Sequence, residues 1–217
     1  MRIEDRTAAA LAALFLLMAA QPARAQLPVS AGIKAGRPLT EFFSLASGRT
    51  PFESDPRRYI IGPMFELNLP GRASIELDAL YIPFNYRQSG TTSALRASGN
   101  AWEFPLLLKF RFSDGLVRPY LAAGVAFNRI TGLKRVDDFL SPAGTPITST
   151  TTSDPEELRN RTGTGVVLGA GIEVKALVLR VSPEIRFTRW GVANIRDASG
   201  LLRSQQNQAQ VLVGFSF

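Results

Sequence analysis

The sequence predicts an all-β protein, an eight-stranded antiparallel up-and-down transmembrane β-barrel. Three observations predict it. Apolar and polar residues alternate with period two through most of the chain. The alternating segments run about 9 to 14 residues, longer than the 5 to 6 usual in soluble sheets and long enough for a tilted strand to cross a bilayer. Their connections alternate between long and tight. Antiparallel strands can cross lipid only as a closed ring, because an open edge would leave backbone groups unpaired. An even strand number with short turns at one end and long loops at the other is the membrane-barrel pattern.

The first 25 residues stand apart from the fold. Arg2 and Arg6 precede the apolar run Ala8–Ala20, and Ala23-Arg24-Ala25 supplies a small-x-small cleavage pattern. Residues 1–25 are expected to be a secretory signal peptide and 26–217 the barrel domain. The apolar run has 13 residues, short of the ~20 a spanning helix needs. The remaining chain is mildly basic.

Eight strands are expected in order. They are Val29–Arg37, Arg57–Leu69, Ala73–Tyr86, Ala101–Phe112, Arg118–Arg129, Gly163–Lys175, Val178–Arg189 and Asn207–Phe217. The fourth is the clearest. Trp102, Phe104, Leu106, Leu108, Phe110 and Phe112 share one face, and Glu103, Pro105, Leu107, Lys109 and Arg111 share the other. In the seventh, Leu179, Val181, Pro183, Ile185 and Phe187 alternate with Arg180, Ser182, Glu184, Arg186 and Thr188. In the last, Ala209, Val211, Val213, Phe215 and Phe217 alternate with Gln208, Gln210, Leu212, Gly214 and Ser216. Pro70-Gly71-Arg72, Ser113–Val117 and Ala176-Leu177 read as tight connections. Pro38–Pro56, Arg87–Asn100, Ile130–Thr162 and Trp190–Gln206 read as long ones. Pro63, Pro83, Pro105 and Pro183 fall inside strand patterns, where each removes a ladder donor. A bulge near Pro83 would account for the change of phase over Leu80–Tyr86.

The segment WEFPLLLKFRF (Trp102–Phe112), followed by RPYLAAGVAF (Arg118–Phe127), resembles a recurring strand pair of bacterial outer-membrane β-barrel domains, of the small porin-like, OmpA/OmpX type. The ending VLVGFSF (Val211–Phe217) resembles the signal such strands present to the barrel-assembly machinery, with Phe215 and Phe217 carrying it. The resemblance implies an outer-membrane location and no catalytic signature. Aromatic residues near both ends of the apolar face read as two interfacial girdles. Tyr59, Trp102, Phe104, Phe127 and Phe187 lie at the outer one; Phe110, Phe112, Phe215 and Phe217 lie at the inner one.

The polar face carries the functional expectation. Lys34, Arg58, Lys109, Arg111, Lys175, Arg180 and Arg186 oppose Glu66, Glu76, Asp78, Glu103, Glu173 and Glu184. An eight-stranded barrel is just wide enough for its inward side chains to fill it. Isolated buried charge is costly, so these residues are expected to pair into a network that plugs the lumen. A narrow pore for ions or small solutes is the alternative use of the same residues. A secreted, lipocalin-like barrel would turn the charged face outward and hold a lipid inside. Strand length, loop alternation and the terminal Phe favour the membrane form. At the loop ends, Arg37, Arg57, Arg58, Arg87, Arg129 and Arg189 form a ring suited to lipopolysaccharide phosphates, or simply to interface anchoring. The expected partners are outer-membrane lipid, lipopolysaccharide and the assembly machinery, with the barrel a monomer.

Other chemistry finds little support. With no Cys and no His, thiolate and His-based catalysis are removed, and the enzymatic outer-membrane barrels rely on His. No cofactor is expected, and the protein is read as a non-enzyme. Gly163-Thr164-Gly165 through Gly169 lacks the spacing and following helix of a dinucleotide fingerprint, so these glycines are read as making room in the lumen. Carboxylates Asp137, Asp138, Asp154, Glu156 and Glu157 sit in what reads as a solvated loop. Basic residues alternate with apolar ones and form no continuous nucleic-acid patch.

Overall fold

A computed structural model describes residues 29–40, 43–45, 52–54, 59–89, 93–140, 146–152, 160–192, 194 and 202–217. The proposed signal peptide and Arg57 and Arg58 lie outside them. Among the described residues there is no helix. Eight strands form the ring: β1 (Val29–Pro38), β2 (Ile60–Asn68), β3 (in two pieces, Ala73–Asp78 and Leu80–Ser89), β4 (Ser93–Arg111), β5 (Val117–Leu140), β6 (Thr162–Ala176), β7 (Leu179–Trp190) and β8 (Asn207–Ser216). Each pairs antiparallel with its neighbour in sequence, and β1 pairs β8 to close the ring.

The register fixes the tilt. From Arg129 the Cα partners run through Trp102, Tyr81, Ile61, Ala35 and Val213 to Pro183; continuing the β6–β7 register from Gly171↔Glu184 to Ile172 leads back to Pro119, ten residues from the start. A stagger of that size, at about 3.3 Å per residue across strands about 4.8 Å apart, tilts the strands by about 40°. Each residue then advances about 2.5 Å along the barrel axis.

Burial settles which face points where. Leu108 is 59% exposed while its neighbour Lys109 is 1% exposed. The whole alternation follows: Phe104, Leu106, Leu108, Phe110 and Phe112 point out, and Glu103, Leu107, Lys109 and Arg111 point in. β7 and β8 obey the same rule. This is the reverse of a lipocalin-like barrel. From Trp102 to Phe112 along β4 the apolar exterior covers roughly 25 Å of axis, the height of a membrane barrel's lipid-facing band.

Two expectations need correction. Arg87–Asn100 and Ile130–Thr162 were expected as loops, but both are largely strand. β4 and β5 stay paired out to Ser93 and Phe139, and the segments Phe52–Ser54 and Pro146–Thr152 pair with β3 and β5. A five-stranded sheet therefore projects beyond the barrel on one side. Its Ser, Thr and Gly content reads as turn, yet Thr is a good strand former once a partner ladder exists. Nor does a bulge lie at Pro83, which pairs in register with Asn100. The inward face stays in phase from Ser74 to Phe84 and changes chemistry instead, from Ser74, Glu76 and Asp78 to Leu80, Ile82 and Phe84.

The interruption in β3 falls at Ala79, and two prolines explain it. Extending the register on either side places Asp78 opposite Pro105 on β4 and Ala79 opposite Pro63 on β2. Neither proline has an N–H to give, so the ladder lapses there from both sides. Ala79 N–H still donates to Pro63 O at 3.0 Å.

Candidate functional site

The lumen is built in two layers. Toward the tight turns lies a charged layer; toward the long connections lies an apolar one of Ile60, Leu80, Ile82, Phe84, Leu95, Ala101, Ile130, Leu133 and Leu212. The inward phase of each strand puts the charges together, although they are far apart in sequence.

Lys34 from β1 donates through Nζ to Glu76 Oε1, to Glu184 Oε2 at 3.2 Å and to Asp78 Oδ2 at 3.3 Å. Arg186 from β7 reaches the same three carboxylates, at 2.6 Å to Glu184 Oε1, 2.8 Å to Asp78 Oδ2 and 3.2 Å to Glu76 Oε1. Lys109 on β4 lies 3.1 Å from Glu76 and 3.6 Å from Glu66, with its ammonium 4.1 Å from the centre of the Tyr120 ring. Arg111 bonds Glu66, Ser74 and, at 3.1 Å, Glu173. Tyr120 O–H donates to Glu184 Oε2 at 3.0 Å. Each buried cation thus touches two or more carboxylates, which compensates desolvation far better than separate pairs would.

Some expected members stand elsewhere. Glu103 is buried but is held by an amide rather than a cation, Gln210 Nε2 donating to its Oε2 at 3.0 Å. Arg180 is half-buried and donates to Ser30. Lys175 is half-exposed beside the tight turn into β7. Tyr120, Ser74, Gln210 and Arg118 belong to the site without having been expected; Arg118 Nη1 lies 3.4 Å from Glu173 Oε1. Tyr120 stands at an inward period-two position of β5, in phase with Ala122, Ala126 and Asn128, which is the sequence signal that marks it. The Gly-rich stretch of β6 does make room as expected. A Cβ on Gly169 would lie 2.8 Å from Glu184 Oε1, and one on Gly165 would lie 2.8 Å from the Trp190 ring.

Because Glu103 has an amide partner, Glu103→Gln is expected to be nearly neutral. The Gln210 amide can turn to pair with it, and thermal stability should stay within about 1 kcal/mol of wild type. A loss of several kcal/mol in a denaturant titration would mean that Glu103 carries a charge the network depends on.

At the outer end a second polar cluster ties the chain across the rim. Asn128 and Asn194 exchange amide hydrogen bonds at 3.1 and 3.2 Å, and Trp190 Nε1 donates to Gln208 Oε1 at 3.0 Å. Outside, the aromatic residues gather at two levels. Tyr81 lies 5.3 Å from Trp102 and 6.4 Å from Tyr59 between ring centroids, and Phe110 lies 5.5 Å from Phe112. Arg37 and Arg189 are exposed at the loop ends of their strands, whereas Arg129, also exposed, falls in the middle of β5 because that strand continues to Leu140. Arg87 lies in β3, but its side chain is outside the description.

A charged, filled lumen inside an apolar exterior with two aromatic girdles defines a membrane-spanning β-barrel. No family model matches the chain, and no curated protein is detectably similar to it in sequence. In fold it is similar to small outer-membrane barrels. The outer membrane protein OprG from Pseudomonas aeruginosa shares 11% identity over 87% of this chain and 94% of that one, with a TM-score of 0.48. Neisserial surface protein A shares 12% over 87% and 95%, with a TM-score of 0.43. Ail, the attachment invasion locus protein of Yersinia pestis, shares 10% over 87% and 96%, with a TM-score of 0.41.

Proposed function

We propose that this chain is an integral outer-membrane barrel with a structural or surface-interaction role, its lumen held shut by the ion-pair network. One observation carries the reading: Lys34 and Arg186, both at most 1% exposed, are locked onto the same three carboxylates at mid-lumen. The apolar layer above them adds a second closure. What reaches the outside is then the projecting sheet and the loops, not a channel. Conductance across planar bilayers tests this. The purified protein should give no steady current. Steady conductance whose ion selectivity shifts in Lys109→Ala, with thermal stability unchanged, would overturn the plug and establish the narrow pore.

Two partners belong to the same reading. Outer-leaflet phosphates would meet Arg37, Arg129 and Arg189, which lie at or near the outer girdle. The barrel-assembly machinery would read the last strand. Phe215 and Phe217 both point outward, and Phe217 N–H donates to Ala31 O at 3.1 Å across the β1–β8 seam. Deleting Phe217 removes this seam contact and the terminal aromatic together. We expect the amount inserted to fall severalfold, read as loss of the heat-modifiable band in outer-membrane fractions. Unchanged insertion would remove the assembly role.

A further inference from the structure

A lateral groove opens on the outside of the barrel, just beyond the outer girdle. It encloses about 520 Å³ and is lined by Tyr59, Tyr81, Pro83, Asn85, Ser98, Gly99, Asn100 and Gly132. A β-bulge makes it. Ser98 pairs with Lys134 and Asn100 with Thr131, so Gly132 and Leu133 both oppose Gly99. Gly132 takes a left-handed φ of 61°, and a Cβ there would come within 3.3 Å of Asn100 Nδ2. Leu133 turns into the barrel, 3% exposed, and leaves the outer side vacant.

We infer that this groove binds the phosphorylated saccharide headgroup of an outer-leaflet glycolipid. The inference rests on the membrane-barrel reading above and names a site within it. Depth is the first argument. Tyr81 and Trp102 belong to the girdle that marks the interface, while Asn85 and Ser98 stand four residues farther along their strands, roughly 10 Å beyond the interface at the tilt derived above. That is where headgroups lie, beyond the reach of acyl chains. Chemistry is the second argument. The floor is aromatic and the walls are amide and hydroxyl, the combination that takes the apolar faces and the hydroxyls of a sugar ring. Tyr81 O–H donates to Asn100 Oδ1 at 2.6 Å, which holds that amide in place with its Nδ2 beside the bulge. Charge is the third. Lys134 is the cross-strand partner of Ser98, Arg129 of Trp102 and Arg96 of Val136. All three basic residues are exposed around the groove, so a phosphate on the sugar would have cations beside it.

Full-length barrel reconstituted in phosphatidylcholine nanodiscs, with and without a bisphosphorylated lipid A glycolipid, tests this. Trp102, adjacent to the groove, reports binding by its fluorescence, while the buried Trp190 gives a constant background. Ser98→Phe should fill the groove and Tyr81→Phe with Asn100→Ala should strip its polar wall. Each should weaken glycolipid binding about tenfold, the equivalent of one or two lost hydrogen bonds. Arg37→Glu and Arg189→Glu remove general phosphate contacts on other strands near the same level, and each should weaken it clearly less than the groove variants, by about two- to threefold. Heat-modifiable migration confirms that each variant is a folded barrel. If Ser98→Phe binds as wild type does, or if the Arg37 and Arg189 variants lose as much as the groove variants, the groove is not the site, although the barrel stands. If wild type fails to enter the nanodiscs, the membrane reading itself has failed.

Discussion

Arg186→Ala should destabilise the barrel by about 3–5 kcal/mol, a large share of the 5–15 kcal/mol that holds a typical domain folded. Among the described residues the guanidinium is the one cation that bonds Glu184, Asp78 and Glu76 through three different nitrogens. Removing it leaves Asp78 and Glu184 with Lys34 as their only cation among the described residues and Glu76 with Lys34 and Lys109, all three carboxylates at most 2% exposed. Arg186→Lys should recover part of the loss, because the charge returns without the fork that reaches three acceptors. Denaturant unfolding from phospholipid vesicles measures both. An Arg186→Ala barrel as stable as wild type would mean that the pairs only offset their own desolvation and contribute nothing net.

Much of this site was legible because polar and apolar residues alternate cleanly on β4, β7 and β8, with charges on the inward face of β4 and β7. Where every other residue is charged and its neighbours are Leu or Phe, the period of two assigns both faces at once. The same rule also placed Lys34 and Glu76, which come from different strands. Legibility failed where the inward face is itself apolar. Over Leu80–Tyr86 both faces carry large side chains, so the pattern looked like a slip of phase; the strand had only passed from the charged layer to the apolar one. It failed again for Glu103, since periodicity gives the direction of a side chain but not its partner across the lumen. The projecting sheet was hidden for a third reason. Residues 93–100 and 130–140 lie mostly beyond the lipid, where one face need not be apolar, and so they lose the alternation that marks the membrane part. The prolines were visible from the start, but their effect was not. Pro63 and Pro105 act together on the Asp78–Ala79 step only once the register brings one opposite each residue, from the two neighbouring strands.

The outward face gives the sharpest test of the bilayer itself, because lipid and water price a charge differently with depth. Leu108 lies six residues below Trp102 and four above Phe112 on β4, near the middle of the apolar band, and 59% of its surface is exposed. Leu108→Arg should therefore cost about 2–4 kcal/mol in a bilayer, the cost of placing a guanidinium near the midplane. Val178→Arg, at the tight turn between β6 and β7 where the side chain is 84% exposed, should cost about 0–1 kcal/mol, because the interface hydrates the charge. Neither position touches the lumen network, so the difference isolates the exterior. Reversible folding into phospholipid vesicles gives both values. In a barrel whose outside faced water, the two substitutions would be equally mild, and equal costs near zero would take this exterior out of the membrane. The expected gap of at least about 2 kcal/mol would fix the depth of β4 in the bilayer and, through the shared register, the depth of the other strands.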